Sequence, residues 1–110
     1  MSTATQLFQV ALPARSNDGL HDYGYQLAIW KEQCLDRAGG FTELGAKRGV
    51  WRDAGRTYDE TMYGFQVACD EKTISLLIAD AFRLFPDQLA IFCACVGLAT
   101  IIPRPKDMSK

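Results

Sequence analysis

Two segments with helical spacing, set among segments that alternate, constrain this chain most. In the first, Tyr23, Leu27, Trp30 and Cys34 recur at steps of four, three and four. That spacing puts them on one face of an amphipathic helix. Lys31, Glu32, Asp36 and Arg37 fall largely on the other side. The helix is expected over 20–38, with Asn17 or Asp18 as its cap and Gly39-Gly40 as its stop. In the second, Ile74, Leu77, Ile78, Ala81 and Phe85 form the stripe. Asp70 is placed to cap it, Glu71 suits the positive end of the helix dipole, and Pro86 ends it.

The remaining segments read as strands. Phe8, Val10 and Leu12 alternate with Gln9 and Ala11, giving a strand over 6–12 that Pro13 closes. Residues 46–52 and 58–69 flank the turn cluster Asp53-Ala54-Gly55-Arg56 and form a hairpin. Phe41 to Leu44 reads as a connector. On the second arm Tyr63, Phe65, Val67 and Cys69 share one face, and Glu60, Met62, Gly64, Gln66 and Ala68 share the other. Residues 89–102 form the last strand, apolar on both faces, with a break or a bulge expected at Gly97.

The order is β-α-β-β-α-β. It specifies an α+β, ferredoxin-like fold: a four-stranded antiparallel sheet with both helices on one face. The chain has 110 residues, enough for a single domain over 1–110, with 1–5 and 103–110 as tails. Trp51 and Phe65 are expected in its core.

Composition narrows the function classes. Twelve Lys and Arg against thirteen Asp and Glu leave a formal net charge of −1, so nothing points to nucleic acid. The apolar run 89–102 is shorter than the roughly 18 residues a membrane span needs, so no membrane partner is expected. Met1 to Thr5 lacks the basic and apolar regions of an export signal. Four cysteines, at 34, 69, 93 and 95, form no CxxC, and His21 is the one histidine. A structural metal needs closely spaced ligand pairs, so no metal and no cofactor is expected. The cysteines sit in apolar segments and read as reduced, buried thiols, which gives a cytoplasmic location. Cys93 and Cys95 share a strand face about 7 Å apart, too far for a ready disulfide.

The uncovered face of such a sheet should be polar. Here it carries Met62, Gly64 and Ala68, beside a last strand apolar on both sides. A second copy, paired face to face or edge to edge, is the simplest cover, so a homodimer is expected. A ligand pocket closed by the C-terminal tail is the alternative.

Candidate site residues cluster on the hairpin. Trp51, Arg52 and Glu60 are read together, with Arg52 and Glu60 within a register step of facing each other. The plain reading is a cross-strand charge pair worth roughly 0.2–1 kcal/mol. The functional reading is a grip on an anionic or carbonyl ligand by Arg52, oriented by Glu60 and aided by Arg48 in phase on the same strand. Tyr58 lies nearer the turn, where it could line a pocket mouth; Tyr23 and Trp30 read as core. His21 has the chemistry of a general base, but no nucleophile can be placed beside it. Gly45 to Gly49 lacks the order of a phosphate loop and precedes a strand. No catalytic constellation emerges.

Trp30, then Gly-Gly-Phe-Thr-Glu-Leu from Gly39, Gly49-Val50-Trp51-Arg52, Gly55-Arg56 and Glu60 follow one another in an order of their own. Over roughly residues 8–100 this resembles a family of small uncharacterised bacterial proteins of unknown function. The resemblance implies a compact α+β domain and carries no activity. Three expectations stand. The chain is a homodimeric, non-catalytic ligand-binding or protein-interaction module; or a cofactor-free enzyme with an Arg/Glu-lined pocket; or a subunit of a hetero-complex.

Overall fold

The computed structural model describes residues 5–88, 90–100, 102 and 104–106. Its elements are β1 (Gln6–Pro13), α1 (Gly24–Ala38), β2 (Thr42–Asp53), β3 (Arg56–Cys69), α2 (Glu71–Leu84) and β4 (Phe92–Leu98). The strands form one antiparallel sheet in the order β2-β3-β1-β4, with both helices on one face. The order and the fold are those the sequence specifies. Leu89 and Ile101 of the expected last strand, and residues 1–4, 103 and 107–110 of the expected tails, lie outside the described residues. No described helix is long and apolar enough to cross a membrane.

The core lies between the sheet and the helices. Phe8, Val10 and Leu12 of β1 and Phe65, Val67 and Cys69 of β3 meet Leu27, Trp30 and Cys34 of α1 and Ile74, Leu77 and Ala81 of α2. Trp30 is fully buried; its Nε1–H donates to the Leu77 carbonyl at 2.9 Å and its ring lies 5.2 Å from that of Phe65. Asp70 caps α2 as expected, its Oδ1 accepting from the Thr73 N–H at 2.8 Å.

Several boundaries differ from the sequence expectation, each for a local reason. Helix α1 starts at Gly24, because residues 16–21 spend their polar groups on a turn of their own. Asp18 Oδ1 accepts from the Leu20 N–H at 2.9 Å and Ser16 N–H donates to the His21 carbonyl at 2.9 Å. Asp18 therefore closes a turn rather than capping the helix. Strand β2 begins at Thr42 and absorbs most of the expected connector, with a register shift between Glu43 and Gly45. Strand β4 is limited to seven residues, and its bulge falls at the expected place: Leu7 faces Gly97, Phe8 faces Cys95, and Val96 is left without a partner.

The hairpin is the element that most shapes the molecule. Ala54 (φ 50°) and Gly55 (φ 80°) both take left-handed backbone, the pattern of a two-residue type I′ turn. Strand β1 pairs with β3 only from Met62 onward. The segment from Arg48 to Thr61 therefore continues as a two-stranded arm, which lengthens the molecule to 57 Å against 25 and 22 Å.

Candidate functional site

The tight turn fixes the register of the arm. Asp53 faces Arg56, so Arg52 faces Thr57 and Gly49 faces Glu60. Arg52 and Glu60 are three positions out of register, and alternation puts their side chains on opposite faces of the sheet. The expected Arg52–Glu60 grip does not form. The reason is where the turn is centred: with Ala54 and Gly55 at its tip, Arg52 faces Thr57, three residues short of Glu60.

Each face of the arm has its own chemistry. On the helix side, Arg48 and Arg52 are in phase as expected, but both are engaged. Arg48 donates to both carboxylate oxygens of Asp59, at 2.9 and 2.7 Å, and Arg52 Nε donates to Thr57 Oγ1 at 3.1 Å. The Arg48 guanidinium holds Asp59 below the usual carboxylate range. On the outer side, Trp51 stacks on Tyr58 with centroids 5.7 Å apart, and Arg56 lies over the Tyr58 ring. Trp51 is 37% exposed, so it is not part of the core. Tyr63 is on the helix side with Phe65, yet 39% exposed, because it lies beyond the packed core cluster. His21 is exposed in the β1–α1 loop, outside the arm.

Gly49 has a packing role. A Cβ there would lie 2.6 Å from Met62 Sδ and 3.2 Å from Trp51 Cζ3. Its bareness lets Met62 tuck against β2 beside Trp51. The Gly-Val-Trp segment is a notch and its filling.

Beyond this notch the outer face is concave. A groove of about 540 Å³ crosses all four strands, lined chiefly by Gln9, Ala11, Lys47, Trp51, Met62 and Phe92. That volume falls within the roughly 300–1,000 Å³ of small-molecule sites. Of the residues singled out in the sequence, Arg48 and Trp51 line it; His21, Arg52, Tyr58 and Glu60 do not. Lys47, Met62 and Phe92 carry no motif; Lys47 faces Met62 across the hairpin, and the sheet order brings Phe92 to the same groove.

Glu60 sits opposite Gly49 with its Oε2 buried and without a hydrogen-bond partner among the described residues. Burial first, and the Asp87 carboxylate second, push its carboxyl up from the ordinary glutamate value. A raised acid favours the folded state while protonated and opposes it once pH passes the unfolded value. Glu60→Gln should therefore raise the melting temperature at pH 7 and match the unsubstituted protein at pH 3.5. Paired melts at the two pH values check this; an equal difference at both would refute it. Asp87 itself shifts the other way: burial opposes its ionisation, but hydrogen bonds from Tyr23 Oη–H, the Asn17 N–H and Gln88 together outweigh that.

The cysteines divide. Cys34 and Cys69 are buried, and burial pushes their thiols up to about 12 and about 11. Cys93 and Cys95 share the helix-side face of β4, as expected, but are exposed, because β4 is an edge strand and its helix-side face lies beyond the packed core. All four are unbridged. Among the described residues, no group of three or more His, Cys, Asp or Glu side chains could hold a metal ion.

No family model matches the sequence, and no curated protein does. Solved structures do. The fold is similar to the divalent cation tolerance protein Cut A1 of Thermus thermophilus, at a TM-score of 0.62 and 10% identity over 91% of this chain and 87% of that one. It is similar to CutA of Xylella fastidiosa, at 0.62 and 13% over 89% and 88%. It is similar as well to the periplasmic divalent cation tolerance protein CutA of Archaeoglobus fulgidus, at 0.61 and 8% over 94% and 89%. These likenesses establish the ferredoxin-like fold. The compact α+β domain implied by the resemblance over roughly residues 8–100 is the fold observed.

Proposed function

We propose that this chain is a non-catalytic binding module that works as a homodimer, its copies pairing through the free edge of β4. The observation that carries this is the edge itself. Strand β4 reads Phe-Cys-Ala-Cys-Val-Gly-Leu, without one charged residue, and Phe92, Val96 and Leu98 are 58%, 54% and 82% exposed. An edge strand offers a row of backbone donors and acceptors, and monomers blunt it with charge, proline or a cover. Antiparallel pairing of β4 with its copy would satisfy those groups under two-fold symmetry and extend the sheet to eight strands.

Catalysis has less support. Arg48 and Arg52 are held by Asp59 and Thr57, Glu60 lies on the other face, and His21 lies in another loop. A role towards divalent cations takes its support from the names of the structural neighbours alone. The unbridged cysteines support a reducing, cytoplasmic setting.

Sedimentation equilibrium tests the pairing. The protein is expected to sediment as a dimer, and Val96→Lys, which sets a charge on each edge, to weaken association by at least tenfold with unchanged circular dichroism. A protein monomeric at 100 μM would overturn the homodimer and favour the hetero-complex reading. A Val96→Lys protein that still dimerises would move the contact to another surface.

A further inference from the structure

We infer that the outer-face groove is a site for a small carboxylate with a planar aromatic body. The inference rests on the binding-module reading and supplies its ligand class. The floor is made of small or flat groups: Ala11 and Gly64 face one another across β1 and β3, and Met62 lies in the Gly49 notch. Two aromatic side chains line it, Trp51 from β2 and Phe92 from β4, both partly exposed. A planar ring system buries the most surface between such groups.

Two polar groups then select the charge. The Lys47 stem lies across Gly64: a Cβ there would sit 3.4 Å from Lys47 Cγ and 3.5 Å from Cε. Its ammonium makes no ion pair among the described residues, whereas Lys31, Arg37, Arg48 and Arg83 are all paired. The Gln9 amide also lines the groove and makes no hydrogen bond among the described residues. An apolar cleft with one uncompensated cation and one amide complements a single negative charge that accepts hydrogen bonds. The nearest acid on this face, Glu60, is absent from the lining, and its Oε2 is buried. Arg48 also borders the groove, but its guanidinium is turned to the helix side and held by both oxygens of Asp59, and Arg52 is bound to Thr57, so neither competes for the ligand.

The probes are 1-naphthoate and its neutral counterpart 1-naphthamide, titrated into the full chain. Calorimetry gives affinity, and the Trp51 indole N–H resonance gives location, with fully buried Trp30 as the internal reference. Naphthoate is expected to bind saturably, to shift Trp51 and to leave Trp30 in place. Lys47→Met keeps the stem over Gly64 and removes the charge; it should weaken naphthoate at least tenfold and leave naphthamide unchanged. Ala11→Leu raises the floor and should weaken both probes. Naphthoate binding that survives Lys47→Met, or that leaves Trp51 unshifted, would overturn the site, as would no saturable binding at millimolar naphthoate. Sedimentation of the same samples separates the two readings. A dimer that ignores naphthoate sinks the site alone, and a monomer that binds it sinks the β4 pairing alone.

Discussion

Trp30→Ala is expected to remove roughly 3–5 kcal/mol of stability, and Phe65→Ala about as much. Both side chains are almost wholly buried, their rings touch, and they join α1 to the sheet. Trp30→Ala also deletes the hydrogen bond to the Leu77 carbonyl, which ties α1 to α2. A domain of this size has about 5–15 kcal/mol in all, so either variant should sit near its unfolding threshold. At about 4 °C per kcal/mol, the melting temperature should fall on the order of 15 °C. Trp51→Ala is the control. The sequence groups Trp51 with Phe65 as core, but the structure leaves it partly exposed on the arm, with its stack on Tyr58 as the main loss. That stack is worth about 0.5–1.5 kcal/mol. Thermal melts of the three variants check the contrast; equal losses at Trp30 and Trp51 would place the core elsewhere.

Asp80→Ala is the second large effect. Asp80 is 5% exposed within α2 and accepts from Arg37 Nε at 2.7 Å, from Arg37 Nη2 at 3.2 Å and from Arg83 Nη2. Arg37 belongs to α1, so this carboxylate joins the two helices at a second point. Charge-assisted hydrogen bonds are worth about 1.5–3 kcal/mol net, and breaking a buried pair costs more than a surface one. The arginines keep access to water, which limits the loss to roughly 2–4 kcal/mol. Urea unfolding should show a lower midpoint at unchanged slope. Asp80→Asn keeps the shape and one acceptor and should fall between. A midpoint unchanged in Asp80→Ala would show that the triad contributes no net stability.

Asp80 also shows where sequence patterning stops. The spacing of Ile74, Leu77, Ile78 and Ala81 announces the buried face of α2, and nothing in it announces a buried acid between them. The partner, Arg37, reads as part of the solvent face of α1. Its long side chain reaches α2 only because the helices lie side by side on one sheet. The candidate site divides in the same way. Trp51 and Arg48 are legible through their place in the hairpin. Lys47, Met62 and Phe92 come from three strands, and none carries a local signal.

Local sequence is enough to set the elements, their order and the face each helix buries. Those follow from spacing, caps and stops within a dozen residues: the four-three-four stripe through Trp30, Asp70 before α2, Pro86 after it, the bulge at Gly97. Register and company belong to the tertiary structure. Whether Arg52 meets Glu60 depends on the left-handed backbone at Ala54 and Gly55, where one residue more or less turns every side chain of the arm to the other face. Whether Trp51 is core or groove wall depends on how far the hairpin outruns β1. Local pattern sets which way a side chain points. What it meets there is set by strands distant in sequence, and the groove on the outer face belongs to that second kind of information.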